Sequence, residues 1–274
     1  MIPILFITYN RLDYTKKALQ ALLNTNYAFK LFIWDNGSTD GTDQWLKRYV
    51  SMNHNVAHIE YRTKNLGINY AFNEFIKQYS KYDFIAKVDN DTIVDSLWLK
   101  KLSLTMIENQ QLDALGAFMQ RPPGEWDFQT WVDSVMKKEY LKQEFFDCNG
   151  ELIVEENYLA YNSYTGGTGV LIRTQIFRDY GLLFNKYPCL LGDWTTYQRL
   201  IFNNKNIAWY SGSVVKLLNI KIDGKELTND FPIYDEQLKI MRDEGNNWYS
   251  KIGGAPGVAN FIQQSGGRER IANE

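Results

Sequence analysis

A chain of 274 residues can hold one large domain or two small ones and bury a sizeable core. Thirty Lys and Arg against 32 Asp and Glu leave a net charge of −2, which gives no bulk attraction to nucleic acid. Apolar residues at 45% and charged residues at 23% are the proportions of a soluble globular protein, not of a disordered one.

The opening "IPILFIT" (2–8) reads as a buried strand running into the polar loop Tyr9, Asn10, Arg11. In "DYTKKALQALLN", Tyr14, Ala18, Leu19, Leu22 and Leu23 recur at helical spacing, with Asp13 placed to cap the first turn. "FKLFIWD" (29–35) is a second strand, ended by the turn formers "NGSTDGT", and "TDQWLKRYV" (42–50) a second helix. "VAHIEY" (56–61) is a third strand, and "NLGINYAFNEFIKQYS" (65–80) a helix that opens on a glycine. "DFIAKVD" (83–89) is a fourth strand, followed by a helix from Ser96 through Asn109.

Four alternations of strand and helix predict a parallel α/β sheet with right-handed crossovers. In such sheets the ligand lies beyond the carboxyl ends of the strands. Thr8–Asn10, Asp35–Ser38, the residues after Tyr61 and Asp89–Asp91 all fall there.

Beyond about residue 110 the pattern loosens. "ALGAF" (114–118) reads as a strand, and the Trp-rich "QRPPGEWDFQTWVDS" (120–134) as a loop or flap. "TGGTGVLIRTQIF" (165–177) is a glycine-rich turn, a strand and a helix start; "CLLGDWTTYQRLIF" (189–202) is a loop entering a helix. "IAWYSG" (207–212) is a late strand, and the Gly-rich stretch from about 221 an accessory segment. Cys148 and Cys189 have no metal-type spacing, so a reduced compartment is expected. The apolar part of "MIPILFITYN" is too short for a signal peptide, and no run reaches the roughly 20 apolar residues of a membrane span. The expected location is cytoplasmic, at most peripheral to a membrane. Aromatics reach 15%, which suits a cleft that stacks sugar faces as well as an ordinary aromatic core.

"FIAKVDNDTIV" (84–94) sets two aspartates around one asparagine. Carboxylates so close repel each other unless something positive joins them, which points to a cation. With the strand-end "TYNR", then "DNGSTDGT", then "NLGINYAFN", this Asp-x-Asp resembles the family 2 glycosyltransferases of GT-A fold over roughly residues 2–215. A lone Asp-x-Asp is weak, whereas four motifs in order, each at a predicted strand end, are specific.

The resemblance implies an α/β GT-A (Rossmann-like) domain over 1–220, with a mostly parallel central sheet flanked by helices. Its nucleotide-binding half would be 1–110, its acceptor-binding half 111–220, and 221–274 a small C-terminal extension. It implies a nucleotide-diphosphate sugar donor (UDP above others), a glycan or glycoconjugate acceptor and a divalent cation, Mn²⁺ or Mg²⁺. Such a cation clamps the diphosphate as a Lewis acid and takes oxygen ligands. Asp91 would ligate the metal, with Asp89 beside the ribose and the metal's water shell. Thr8, Tyr9 and Asn10 would surround base and ribose, and Asp35 would meet the base edge. Asn65 and Gly67 would line the base pocket. The resemblance also draws in Asn90, whose side chain strand alternation turns away from its neighbours, and Asn73, which could equally be structural. In "LLGDWTTYQR", Asp193 would be the base that deprotonates the acceptor, or else a helix cap. Gly167 and Thr168 in "GGTG", with Trp194 as a stacking surface, would lie on the acceptor side.

One departure stands out. Relatives carry a late histidine as a further metal ligand, but His54 and His58 come far too early and read as surface or strand residues. Lys216 or Asn219 would stand in its place. Other chemistries fit the same letters less well. A haloacid-dehalogenase-type phosphatase would use Asp89 as nucleophile, but has this motif on its first strand. A calcium loop needs a ligand and a glycine where Ile93 and Val94 stand. A nucleotidyltransferase needs glycine in the first loop. A non-catalytic nucleotide-sugar-binding module would keep the fold and be indifferent to loss of Asp193.

Overall fold

The structure, a computed structural model, describes residues 1–120, 137–147, 149–161, 165–183, 196–197, 200 and 203–218. Strands β1 (Ile2–Thr8), β2 (Phe29–Asp35), β3 (Val56–Tyr61) and β4 (Phe84–Asp89) alternate with helices α1 (Leu12–Leu23), α2 (Thr42–Trp45) and α3 (Ile68–Tyr79). After α2 the chain widens into a π turn at Leu46–Val50. The second half contributes β5 (Thr92–Val94), α4 (Trp98–Glu108), β6 (Leu112–Gln120), β7 (Lys137–Phe146), β8 (Leu152–Tyr161), β9 (Val170–Arg173), α5 (Gln175–Tyr180) and β10 (Asn206–Leu217).

All ten strands join one sheet in the order β3-β2-β1-β4-β9-β6-β10-β8-β7, with β5 paired to β10. β1, buried along its whole length, is central and parallel to both β2 and β4. A strand covered on both faces needs an unbroken apolar run, and "IPILFIT" supplies one. Its alternation divides the core. Ile4 and Phe6 pack with Leu19 and Leu22 of α1 and Trp98 and Leu102 of α4, while Leu5 and Ile7 pack with Phe72, Phe75 and Ile76 of α3 and Phe177 of α5. The result is a sheet between two helical layers.

The sheet is parallel through its first four strands and mixed beyond them. β9 lies antiparallel to β4 on one side and β6 on the other, and β10 returns parallel to β6. This insertion sets the glycine-rich turn before β9 directly against β4. The β7–β8 hairpin, absent from the sequence reading, closes the far edge. Its outer strand "KKEYLKQEFF" buries only Gln143 and Phe145, so it carries no apolar run to announce it; an exposed edge rich in lysine also resists pairing with other chains. Among the described residues, no helix is long and apolar enough to cross a membrane.

Helix starts differ from expectation by a residue or two. α1 is preceded by Arg11 rather than capped by Asp13, which lies in its first turn. The cap is imported: Asp40 Oδ2 accepts the Leu12 N–H at 2.9 Å from across the sheet end. α3 begins at Ile68 after Gly67, whose φ of 90° suits the glycine expected there.

Candidate active site

Strand register brings the motifs together. Thr8 at the end of β1 sits beside Asp35 on β2, and Ile7 beside Asp89 on β4. The three polar segments therefore emerge at one edge from adjacent strands.

The loop after β1 is held in an uncommon shape, with Asn10 and Arg11 both left-handed at φ 52° and 62°. Non-glycine residues seldom adopt this conformation, and when they do the surroundings impose it. Here the Asn10 N–H donates to Ser38 Oγ (2.8 Å), Asn10 Oδ1 accepts the Thr39 N–H (2.8 Å), and Asp40 holds Leu12. Gly37 allows the approach of the second loop: at φ 84°, a Cβ there would lie 2.8 Å from the Lys64 nitrogen.

Asp35 is almost fully buried and accepts both the hydroxyl and the N–H of Ser38. Burial raises its carboxyl above the ordinary value, against the opposing pull of the Ser38 bonds. Asn36 Oδ1 accepts the Leu66 N–H at 3.1 Å, and Asn65 Oδ1 accepts the Gly67 N–H at 2.8 Å, which joins "DNGS" to "NLG". On the other face of β2, the Arg62 guanidinium stacks 4.5 Å over Trp34.

Asp40 shows the reverse balance. Burial pushes its carboxyl upward, but bonds from the Thr42 hydroxyl, the Leu12 N–H and the Thr42 N–H outweigh it and lower the value. A carboxyl lowered on folding adds stability above its unfolded value, roughly pH 4, and loses it as pH falls through the folded value. Asp40→Ala is expected to cost about 1 kcal/mol at pH 7, as a lost helix cap does. In urea melts across pH, that cost should shrink below about pH 4; a pH-independent cost would show that the charge is not involved.

The side chains of Asp89, at the end of β4, and of Asn90 and Asp91, in the turn that follows, take different partners. The Asn90 amide nitrogen turns beneath the first loop, donating to Thr15 Oγ1 (3.0 Å), the Asn10 carbonyl (3.1 Å) and Thr8 Oγ1 (3.3 Å). Thr8 itself is fully buried and shares its hydroxyl with Thr15 at 3.1 Å. Thr8 and Asn90 thus sit in the scaffold under the loop, while Tyr9 is half-buried.

Each carboxylate faces a cation of the chain. Lys87, two residues before Asp89 and on the same face of β4, places Nζ 2.5 Å from Asp89 Oδ1 and also donates to the Gly167 carbonyl. Its side chain is only 4% exposed. Arg11 Nη1 lies 3.2 Å from Asp91 Oδ2. The Asp89 N–H donates to Thr168 Oγ1 (2.9 Å), whose hydroxyl donates to Thr92 Oγ1 (3.0 Å). With the Gly169 N–H donating to the Lys87 carbonyl at 2.9 Å, the "GGTG" turn leans on β4 at three points. A further hold comes from Tyr197, whose hydroxyl donates to the Gly166 carbonyl at 3.2 Å. Gly166 has φ 80° and no room for a Cβ, which would meet the Trp209 ring at 2.7 Å.

The two carboxylates keep 25% and 18% of their side-chain surface open. An oxygen-only donor set of one or two carboxylates, completed by phosphates and water, suits Mg²⁺ or Mn²⁺. Among the described residues, no cluster of three or more His, Cys, Asp and Glu forms a self-sufficient metal site. Asp89 and Asp91 by themselves leave most of such a cation's ligands to phosphate and water.

The model of glycosyl transferase family 2 matches residues 4–160, which takes in every strand-end motif of the first half. The chain belongs to glycosyl transferase family 2. Among curated relatives, this family 2 chain is 23% identical over 194 residues to an uncharacterized glycosyltransferase of Haemophilus influenzae, covering 69% of this chain and 56% of that one. It is 24% identical over 181 residues to glycosyltransferase GlyA of Streptococcus pneumoniae, covering 65% of this chain and 25% of GlyA. It thus spans about half the length of the first and a quarter of the second.

Solved structures share its fold. S. aureus TarS residues 1–349 superpose with a TM-score of 0.58 at 19% identity, over 80% of this chain and 60% of that one. GalNAc-T7 gives 0.62 at 10% identity, over 82% and 45%. The mannosyltransferase PcManGT of Pyrobaculum calidifontis gives 0.59 at 13%, over 80% and 57%. These likenesses establish the GT-A architecture of the family 2 chain.

Some candidates fall elsewhere. Asp193, Trp194 and Asn219 lie outside the described residues. Lys216 is exposed on β10 and alternates with Val215, whose side chain packs towards Gly169, so it faces away from the glycine turn. The Leu218 N–H instead donates to the Asp91 carbonyl at 2.7 Å, tying the end of β10 to the Asp-x-Asp turn. His54 and His58 are exposed, as their sequence positions imply. Asn73 is a structural clamp: its amide exchanges two bonds with the Leu183 backbone, at 3.0 and 2.9 Å.

Sequence reasoning gave no role to Lys87 and Arg11. Lys87 had a signal, being the one charged residue inside the apolar run "FIAKV" and two positions from Asp89. Arg11 had none beyond its place in "TYNR", because its partner lies 80 residues away.

Proposed function

We propose that this chain transfers a sugar from a nucleotide-diphosphate donor, with UDP the favoured nucleotide, to a glycan or glycoconjugate acceptor. The observation that carries the reading is the convergence of the Asp35 loop and the Asp89-Asn90-Asp91 turn on either side of β1. One can hold a nucleoside and the other can face its diphosphate. The structural neighbours support it: TarS has been crystallised with UDP and UDP-GlcNAc, GalNAc-T7 with UDP, GalNAc and Mn²⁺, and PcManGT with GDP-Man and Mn²⁺.

In this reading Asp35, Asn65 and Gly67 receive the base, and Tyr9 and Asn10 border the ribose. Thr8 and Asn90 keep the loop in shape from below. Asp91, with Asp89, would hold Mn²⁺ or Mg²⁺, which supplies Lewis-acid charge to the departing diphosphate. Gly167, Thr168 and Trp194 flank the acceptor. Asp193 takes the proton from the acceptor hydroxyl as that oxygen bonds to the anomeric carbon. The bond from that carbon to the diphosphate oxygen breaks, its electron pair leaving with the nucleotide, and the configuration inverts. We place its work at the cytoplasmic side, in solution or against a membrane surface.

Calorimetric titration of UDP into the full chain with Mn²⁺, Mg²⁺ or EDTA tests the donor reading. Binding in Mn²⁺ is expected to be on the order of 100-fold tighter than in EDTA, a few kcal/mol of phosphate–metal interaction. Asp91→Ala should abolish the difference. Equal affinity in EDTA would remove the metal, and no binding of any nucleoside diphosphate would remove the donor.

A further inference from the structure

Two carboxylates, one ammonium and one guanidinium meet at the end of β4, and their charges cancel. The two ion pairs are built differently. Lys87 stands on a central strand, nearly fully buried, and its ammonium is also committed to the Gly167 carbonyl. Arg11 stands on a loop, in the second of two consecutive left-handed residues, and meets Asp91 through one nitrogen at 3.2 Å. The Asp91 main chain is fixed independently by Leu218 at 2.7 Å. The Asp91 side chain can therefore change partner without the turn moving.

We propose that Arg11 is a positioning residue that occupies the Asp91 carboxylate until a divalent cation arrives already bound to a diphosphate, so that metal and nucleotide load together rather than metal first. This rests on the reading of Asp91 as a metal ligand. A bare divalent cation has to take Asp91 from Arg11 and sets two further positive charges beside a guanidinium whose side chain is only 10% exposed. A metal–diphosphate complex brings negative charge with it, so the charge added beside Arg11 is small. Arginine suits such an exchange because its planar fork pairs equally well with carboxylate and phosphate.

The test is Mn²⁺ binding to the full chain without nucleotide, followed by the electron paramagnetic resonance of the free ion. Wild type is expected to bind Mn²⁺ alone weakly, and Arg11→Met, similar in length and uncharged, at least ~10-fold more tightly, the scale on which groups around a metal alter its affinity. Arg11→Gln serves as a second neutral variant should Arg11→Met fold poorly, and Arg11→Lys should stay near wild type. Adding Asp91→Asn to Arg11→Met should cancel the gain. Unchanged or weaker Mn²⁺ binding in both neutral variants overturns the proposal, as does a gain that survives Asp91→Asn. The donor reading fails separately: a protein that gains Mn²⁺ affinity on loss of Arg11 yet binds no UDP with Mn²⁺ keeps the ion exchange and loses the nucleotide.

Discussion

Asp193→Asn is expected to lower turnover by roughly 100- to 10,000-fold, the range of a positioned general base, while leaving the affinity for UDP with Mn²⁺ within about twofold. The substitution keeps the size of the side chain and removes only its ability to accept a proton. Asp35 and Asp89 end β2 and β4 and Asp91 follows in the next turn, whereas Asp193, in "LLGDWTTY", is assigned in the proposed function to the acceptor hydroxyl and not to the nucleotide. Nucleotide affinity and turnover should therefore separate. In kcat/KM against pH, the acidic limb that reports the base should disappear in the variant. Turnover within about threefold of wild type would dismiss Asp193 as the base. A parallel loss of nucleotide affinity would give it a structural or donor-side role instead.

The second large effect is on stability. Asp89→Ala is expected to cost about 3 kcal/mol, because it leaves the Lys87 ammonium in a site where the side chain is 4% exposed. The lower end of the usual 3–5 kcal/mol range applies, since the Asp89 carboxylate keeps a quarter of its surface in solvent and the Gly167 carbonyl remains as a partner for Lys87. Adding Lys87→Met removes the stranded charge and fills the space with an apolar chain of similar length. The double variant should recover at least about 1 kcal/mol of what Asp89→Ala loses. A double-mutant cycle by urea denaturation measures this directly. Costs that add within about 0.5 kcal/mol would mean that the pair does not interact in the folded protein.

The same pair links β4 to the glycine turn. Lys87 reaches the Asp89 carboxylate with one hydrogen bond and the Gly167 carbonyl with another. With Thr168 bound to the Asp89 N–H, that turn is registered on the strand that leads into the Asp-x-Asp. The surrounding aromatics have mostly structural duties. Phe32, Phe75 and Tyr79 pack ring against ring between β2 and α3, with centroids 4.0 to 5.7 Å apart. In this region the high aromatic content belongs to the core.

Much of the first half is written locally. β1, β2 and β4 are short, mostly apolar runs stopped by polar turn formers, and α1 and α3 repeat their apolar residues at helical spacing. Short-range periodicity, together with the handedness of strand–helix–strand crossovers, is enough to place Thr8, Asp35 and Asp89 at one edge. The family's motif order follows from the same pattern.

In the second half "ALGAF", "VLIR" and "IAWYSG" announce the strands β6, β9 and β10, but their order in the sheet depends on partners far along the chain. β9 is a four-residue strand whose position between β4 and β6 is settled by pairing with residues 54 to 89 positions earlier. The β7–β8 hairpin is too polar to signal itself. The same holds for the charges that matter most. Residue types alone establish that Asp89 and Asp91 need positive charge beside them, since two carboxylates so near each other repel. Which cations supply it was decided by tertiary structure: strand alternation and the β4–β9 pairing bring Lys87 to Asp89 beneath the glycine turn, and a left-handed loop, pinned by Ser38, Thr39 and Asp40, brings Arg11 across 80 residues to Asp91. Periodicity carries information over a few residues, whereas an ion pair between distant segments exists only once the sheet between them has closed.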